Sequence, residues 1–124
     1  MEIKFYRCSH CGNIITYMVD KGVPVMCCGE KMEELLPGTV DAALEKHVPV
    51  IVSDGNKVTV EVGSVTHPMT EEHFIQWIVL QTSEAIHCKK LTPSSTPKAT
   101  FALADGEKVE AAYEYCNLHG LWKA

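Results

Sequence analysis

The sequence predicts a mainly β protein in two parts: a small metal-knuckle region over residues 1–37, then a β-sandwich over residues 38–124. Three observations predict it. Four of the six cysteines lie between Cys8 and Cys28. Alternating and β-branched runs recur at short intervals through the second part, with turn residues between them. The turn dipeptide Pro37-Gly38 separates the two.

The first part is too short to hold itself together by apolar burial. Ile3, Phe5, Ile14, Ile15, Val23 and Val25 are its few apolar residues, and below about 40 residues a domain needs a metal, disulfides or a partner. In the second part, residues 40–46 form the only helix-like piece. A β-branched run over 48–52 surrounds Pro49, and Asp54-Gly55-Asn56 reads as a hairpin turn. Residues 57–62 alternate cleanly, with Val58, Val60 and Val62 on one face. Residues 74–80 read as a continuous apolar strand and 85–91 as a weaker one. Residues 92–97 form a Pro/Ser/Thr loop. Residues 99–104 and 108–115 flank Asp105-Gly106 and are expected to form a second hairpin.

With 46% hydrophobic and 22% charged residues, the 124-residue chain has the composition of a globular protein. A net charge of -5 argues against nucleic acid as a partner. The residues after Met1 are polar-alternating, so no signal peptide is read, and no run approaches a membrane span. The expected location is cytoplasmic, where clustered cysteines bind metal or do redox work rather than form disulfides. The adjacency of Cys27 and Cys28 also disfavours disulfides, since each would need its own distant partner.

Cys8-x-x-Cys11 and the Cys27-Cys28 pair offer four thiolates. Gly12 frees the backbone to turn so that amides face the sulfurs. Four soft donors in a tetrahedron suit zinc or iron, and spacing alone does not choose. His10, inside the knuckle, reads as a solvated side chain. A second donor group is more dispersed. Cys116-x-x-His119 ends the last strand, His67 and His73 flank the start of the strand at 74, and His47 precedes the strand at 48. If all five bind one ion they exceed the four ligands of structural zinc, and imidazoles with one thiolate suit iron or copper. Five ligands on an octahedral iron leave one position open. His87-Cys88 has no partner at ligand spacing and reads as a core or edge pair.

These segments together resemble the desulfoferrodoxins, the two-iron superoxide reductases. The matching stretches are Cys8-Ser9-His10-Cys11-Gly12-Asn13-Ile14, Cys27-Cys28-Gly29-Glu30, Glu45-Lys46-His47-Val48-Pro49-Val50-Ile51, His67-Pro68-Met69, His73-Phe74-Ile75-Gln76-Trp77-Ile78 and Glu114-Tyr115-Cys116-Asn117-Leu118-His119-Gly120. The resemblance implies a desulforedoxin-like (rubredoxin-like) iron site on Cys8, Cys11, Cys27 and Cys28. It implies an immunoglobulin-like sandwich whose catalytic iron is held by His47, His67, His73 and His119 equatorially and Cys116 axially. It further implies one-electron reduction of superoxide to hydrogen peroxide, an external donor such as rubredoxin, and a homodimer. Lys46 is the residue expected to attract the anionic substrate, and Glu45 resembles the family glutamate that fills the sixth position of the oxidised iron. The residues also admit a small electron carrier with a structural second site, a zinc-ribbon interaction protein, and superoxide dismutation.

Overall fold

Period-2 patterning with turn residues between the runs builds nearly everything here from antiparallel strands. The computed structural model describes residues 2–124 and separates a unit ending at Leu36 from one spanning Pro37–Ala124.

The first unit contains β1 (Phe5–Arg7), β2 (Ile14–Thr16), β3 (Met26–Cys27), β4 (Glu30–Lys31) and β5 (Glu33–Leu35). β1 lies between β2 and β5, and β3 pairs with β4 as a separate ribbon. Its interior is slighter than the sequence suggests. Phe5, Cys8 and Met32 are its buried hydrophobics, while Val23 and Val25 are exposed. Such a small apolar core does not offset the entropy of ordering these residues, and a bound ion can supply the difference.

The second unit begins with a short helix, α1 (Leu44–His47), followed by β6 (Pro49–Asp54), β7 (Lys57–Val62), β8 (Ile75–Thr82), β9 (Ile86–Lys90), β10 (Lys98–Ala102), β11 (Val109–Cys116) and β12 (Gly120–Lys123). The helix is shorter than the stretch 40–46 expected, and residues 40–43 are not helical. Gly55, at φ 60, makes the tight β6–β7 turn, closing the Asp54–Lys57 pair.

Among the described residues these strands form two sheets, in the orders β10-β7-β6 and β12-β11-β8-β9. This is the partition of an immunoglobulin-like sandwich. It corrects one expectation. β10 and β11 do not form a hairpin: β10 pairs with β7 and β11 with β8 and β12. The Asp105-Gly106 turn carries the chain from one sheet to the other, because inward-facing Ala99 and Phe101 complete the face of Val58 and Val60. β12 has no forerunner in the sequence pattern. The core between the sheets joins Val58, Val60 and Val62 to Ile75, Ile78, Leu80, Ala112 and Cys116.

Chain topology brings the start of β6, the end of β7, the start of β8, the end of β11 and the start of β12 to one pole of the sandwich. Pro49 pairs with Val62, and Cys116 pairs with both Ile75 and Gly120. Every histidine and cysteine of the dispersed donor group stands at one of these strand ends or in the segment that leads to it.

His87 and Cys88 lie on β9, an edge strand, as the sequence suggested for an edge pair, and Cys88 is exposed. His87 has an unforeseen partner. Its Nε2 is 2.7 Å from Glu107 Oε2, which also accepts from the Thr82 hydroxyl, while Glu107 Oε1 accepts from the Ala104 N–H at 2.9 Å. Hydrogen bonds from Thr82 and then His87 hold the Glu107 carboxyl down to about 2. A carboxyl depressed in the folded state contributes stability that is present above its ordinary value and is lost as pH falls through the folded value. Glu107→Gln should therefore lower the melting temperature most above about pH 5, and the gap from the unsubstituted protein should close as pH approaches about 2. A gap independent of pH would show that the charge does not hold this contact.

Candidate metal centres

The first donor group is built by two turns. In the knuckle, the Gly12 N–H donates to Cys8 O at 3.0 Å and the Cys8 N–H to Asn13 O at 2.9 Å. This closes the loop and aims the N–H groups of Cys11 and Asn13 at the Cys8 and Cys11 sulfurs, at 3.5 and 3.4 Å. The second turn explains how two adjacent cysteines serve one ion. β3 and β4 are joined by the two residues Cys28 and Gly29, both at positive φ, 52 and 77. Two left-handed positions in a two-residue loop are the requirement of a type I′ hairpin. That backbone reversal swings the Cys28 sulfur toward the Cys27 sulfur.

All four sulfurs lie within 4.8 Å of one another, with Cys11 and Cys27 at 3.6 Å. A tetrahedral ion with metal–sulfur bonds of ~2.3 Å needs edges of about 3.8 Å. The group therefore fits a tetrahedral zinc or iron without rearrangement. Its acid–base state says the same. Hydrogen bonding from the Cys11 backbone N–H lowers the Cys8 thiol to about 6. Hydrogen bonds to Cys11 and Cys8 push Cys28 up to about 12, and Cys27 is raised for the same reason. One thiolate makes its neighbours harder to ionise, and a cation in the centre removes that conflict. His10 is exposed at the edge of this group, with Nε2 3.0 Å from Glu30 Oε1.

The second group gathers at the pole of the sandwich. The donor atoms of His47, His67, His73 and Cys116 lie within 4.8 Å of one another. His119 Nδ1 is 3.1 Å from His47 Nε2 and 3.9 Å from Cys116 Sγ. The imidazoles form a closed ring of neighbours, 47–67, 67–73, 73–119 and 119–47. Centroids are 4.8, 4.6, 5.0 and 4.9 Å apart and interplanar angles run from 77 to 88°. Neighbouring nitrogens at 3.1 and 3.2 Å fall between the ~3.0 Å of right-angle ligands and the ~3.4 Å of a tetrahedron around an ion at ~2.1 Å, the shorter of them nearer the right-angle value. The arrangement is a square of imidazoles with a sulfur near all four.

Tautomers provide a sharper test of fit. His47 Nδ1 is 2.7 Å from Ala43 O and His67 Nδ1 is 2.6 Å from Pro68 O. A carbonyl only accepts, so both Nδ1 atoms carry the proton and both Nε2 atoms present lone pairs. Those two lone pairs face each other at 3.2 Å with no proton between them. His73 Nε2 is buried with no hydrogen-bond partner among the described residues. Protonation does not relieve this crowding. Burial lowers His67 to about 4 and also lowers His47 and His73. A cation at the centre satisfies all these atoms at once. Five donors, four of them imidazole, suit iron and exceed what structural zinc takes.

Several supporting residues went unread in the sequence. Trp122 stacks on His47, with centroids 5.0 Å apart, and donates from Nε1 to His119 O at 3.0 Å. Asn117 brackets His73: its Oδ1 accepts from the Phe74 N–H at 2.9 Å and its Nδ2 donates to Glu72 O at 3.0 Å. Neither residue has a spacing that marks it. Glu114 was legible in principle, because it alternates with Ala112 and Cys116 on the core face. It is fully buried, its oxygens lack partners among the described residues, and burial pushes its carboxyl up to about 9. Glu45 and Lys46 are exposed on α1, next to His47.

A family profile described as Desulfoferrodoxin matches residues 39–124. The chain is 46% identical to a desulfoferrodoxin from Nitratidesulfovibrio vulgaris, over 99% of this chain and 96% of the relative. The structure aligns with a superoxide reductase from Treponema pallidum at a TM-score of 0.86 and 42% identity, covering 100% of this chain and 99% of that one. It also aligns with a superoxide reductase from Giardia intestinalis at a TM-score of 0.57 and 36% identity, covering 64% of this chain and 95% of the other.

Gly29 has open space where a Cβ would stand, so only its left-handed backbone demands glycine. Gly29→Ala should cost about 1 kcal/mol of hairpin stability. A chelator should then strip the four-cysteine ion roughly fivefold more readily, leaving the histidine site as it was. Unchanged retention in a chelator titration would show that the hairpin does not set the Cys27 and Cys28 positions.

Proposed function

The chain belongs to the desulfoferrodoxin family, and from that membership and its five-donor centre we propose that it is a superoxide reductase, converting superoxide to hydrogen peroxide with an electron from outside. The observation that carries this reading is the pair of lone pairs on His47 and His67, facing each other at 3.2 Å inside a square of imidazoles. Iron bound by His47, His67, His73, His119 and Cys116 would supply the single electron the substrate takes up. The balance is superoxide plus one electron plus two protons, giving hydrogen peroxide.

The residues divide the remaining work. The carbonyls of Ala43 and Pro68 fix the ring orientation of His47 and His67 and keep their Nε2 atoms unprotonated. Burial keeps His47, His67 and His73 neutral at physiological pH, so they remain donors there. Cys116 is sealed in the core, where burial raises its thiol; its sulfur would supply an anionic donor from the buried side once a bound ion displaces the proton. His73 and His119 are only partly buried, which leaves the imidazole side as the approach for a small anion.

Lys46 and Glu45 are assigned the substrate-facing roles. Burial and then the neighbouring histidines lower His47 and His73, and the Lys46 charge adds to both, which supports a role for its ammonium beside these rings. An ammonium there attracts superoxide against the net negative charge of the protein. It also stabilises charge on the reduced substrate and holds a water that donates a proton. Glu45 would offer a carboxylate, a hard donor, to a bound ferric ion at the same centre. The four-cysteine site would hold a second iron, within a desulforedoxin-like domain of residues 1–37 ahead of the catalytic domain 38–124. Exposed Cys11 and Cys28 leave that iron open to a donor protein of the rubredoxin type. The exposed apolar residues Met18, Val19, Val23 and Met26 support a homodimer. Thiols without a disulfide among the described residues suit the cytoplasm, and no described helix is long and apolar enough to cross a membrane.

Iron-loaded protein should consume superoxide only while an external reductant is oxidised, one electron per superoxide, with no oxygen released. Oxygen release without reductant would identify a dismutase, and absence of turnover would identify an electron carrier. Lys46→Ile should slow superoxide capture on the order of tenfold and flatten its ionic-strength dependence. An unchanged rate and salt slope would remove Lys46 from the steering role.

A further inference from the structure

The segment bearing Glu45 and Lys46 has little of its own to hold it. α1 spans four residues, carries no side-chain N-cap, and buries only His47 among them. A helix of one turn is not stable alone, and Leu44 is 63% exposed. Yet the charged side chains must leave the backbone at one place to act on the same centre.

The loop that follows β7 meets this need. The Val65 N–H donates to Glu45 O at 2.8 Å, and the Ser64 hydroxyl donates to the same oxygen at 3.3 Å. The His67 N–H closes back on Val62 O at 3.2 Å, so one loop both carries His67 and grips the Glu45 carbonyl. Close approach is possible only because residue 63 has no side chain. A Cβ at Gly63 would stand 2.6 Å from Glu45 O and 2.9 Å from Lys46 C, both backbone atoms that cannot swing aside. Its φ is not left-handed, so the requirement for glycine is space and not conformation.

We propose that Gly63 is a positioning residue for superoxide capture, which by closing the 63–65 loop on the Glu45–Lys46 peptide sets where the Lys46 ammonium stands relative to the histidine square. The proposal rests on the superoxide reductase reading for its substrate. For the contact itself it rests only on the geometry above.

The test is a double-substitution cycle of Gly63→Ala and Lys46→Ile on iron-loaded protein. It reads iron content, the thiolate-to-iron absorption band, the rate and salt dependence of superoxide capture, and the affinity of the oxidised protein for azide, an inert anion. Gly63→Ala should keep two irons per chain and the absorption band of the histidine-site iron, distinct from that of the four-cysteine iron, which report an intact donor set and Cys116 in place. It should lose on the order of tenfold in capture and in azide affinity, with a flatter salt slope. Combined with Lys46→Ile it should add little, because both act through one ammonium. Wild-type capture, azide affinity and salt slope in Gly63→Ala would overturn the proposal, as would losses that simply multiply. If Gly63→Ala loses its iron or does not fold, Ser64→Ala replaces it in the cycle. That variant removes only a hydroxyl at 3.3 Å and should show the same non-additivity at about twofold; wild-type azide affinity and salt slope there would overturn the proposal equally. If the unsubstituted protein does not turn over superoxide, the functional reading fails alone, and the azide cycle still decides the role of Gly63.

Discussion

Two unprotonated imidazole nitrogens held face to face make the central constraint on this molecule. His47 and His67 each give their Nδ1 proton to a fixed carbonyl, so the opposite nitrogens meet at 3.2 Å as bare lone pairs. Neither ring can turn without breaking a short hydrogen bond, and burial discourages either from taking a proton. A cation at the centre satisfies both at once. The pole of the sandwich is therefore organised around an ion: α1 delivers His47, the β7–β8 crossing delivers His67 and His73, and the β11–β12 turn delivers Cys116 and His119.

The four-cysteine group repeats this logic with a different donor. Its sulfurs are crowded to a tetrahedron by a knuckle and a left-handed hairpin; the Cys11 backbone N–H lowers the Cys8 thiol, and the neighbouring sulfurs raise Cys27 and Cys28. In both groups the chain assembles donors that oppose one another until a positive ion joins them. The two differ in what surrounds them. Cys11 and Cys28 face solvent, whereas Cys116 is sealed and only the imidazole side of its group is approachable. An exposed thiolate site suits electron exchange with another protein. A sealed sulfur behind a square of imidazoles suits reaction with a small anion on the open side.

Much of the sandwich was legible because burial on one face imposes period 2. Residues 57–62 alternate, and the structure buries Val58, Val60 and Val62 as that pattern requires. The hairpin at Asp54-Gly55 was readable from turn chemistry. The expected hairpin across Asp105-Gly106 was not formed, since a turn signal marks a reversal of direction but does not say whether the next strand pairs or crosses. β12 escaped notice because Gly120–Lys123 is too short for a period. The helix at 40–46 was overread, because only Leu44–His47 gains the contacts that hold one turn.

By itself the sequence determined the donor inventory: four cysteines near the start, and four histidines and a cysteine at strand ends further on. It determined this because donor type and spacing are local properties of the chain. Only the tertiary structure decided that five donors from separated segments form a square with a sulfur beside it, which nitrogen each imidazole presents, and that Cys27 and Cys28 share one ion through a left-handed turn. It also decided that Asn117 and Trp122 support the centre and that Gly63 lies against the Glu45–Lys46 backbone, since hydrogen bonds, stacking and close backbone approach join residues far apart in the chain, which no pattern of neighbours encodes.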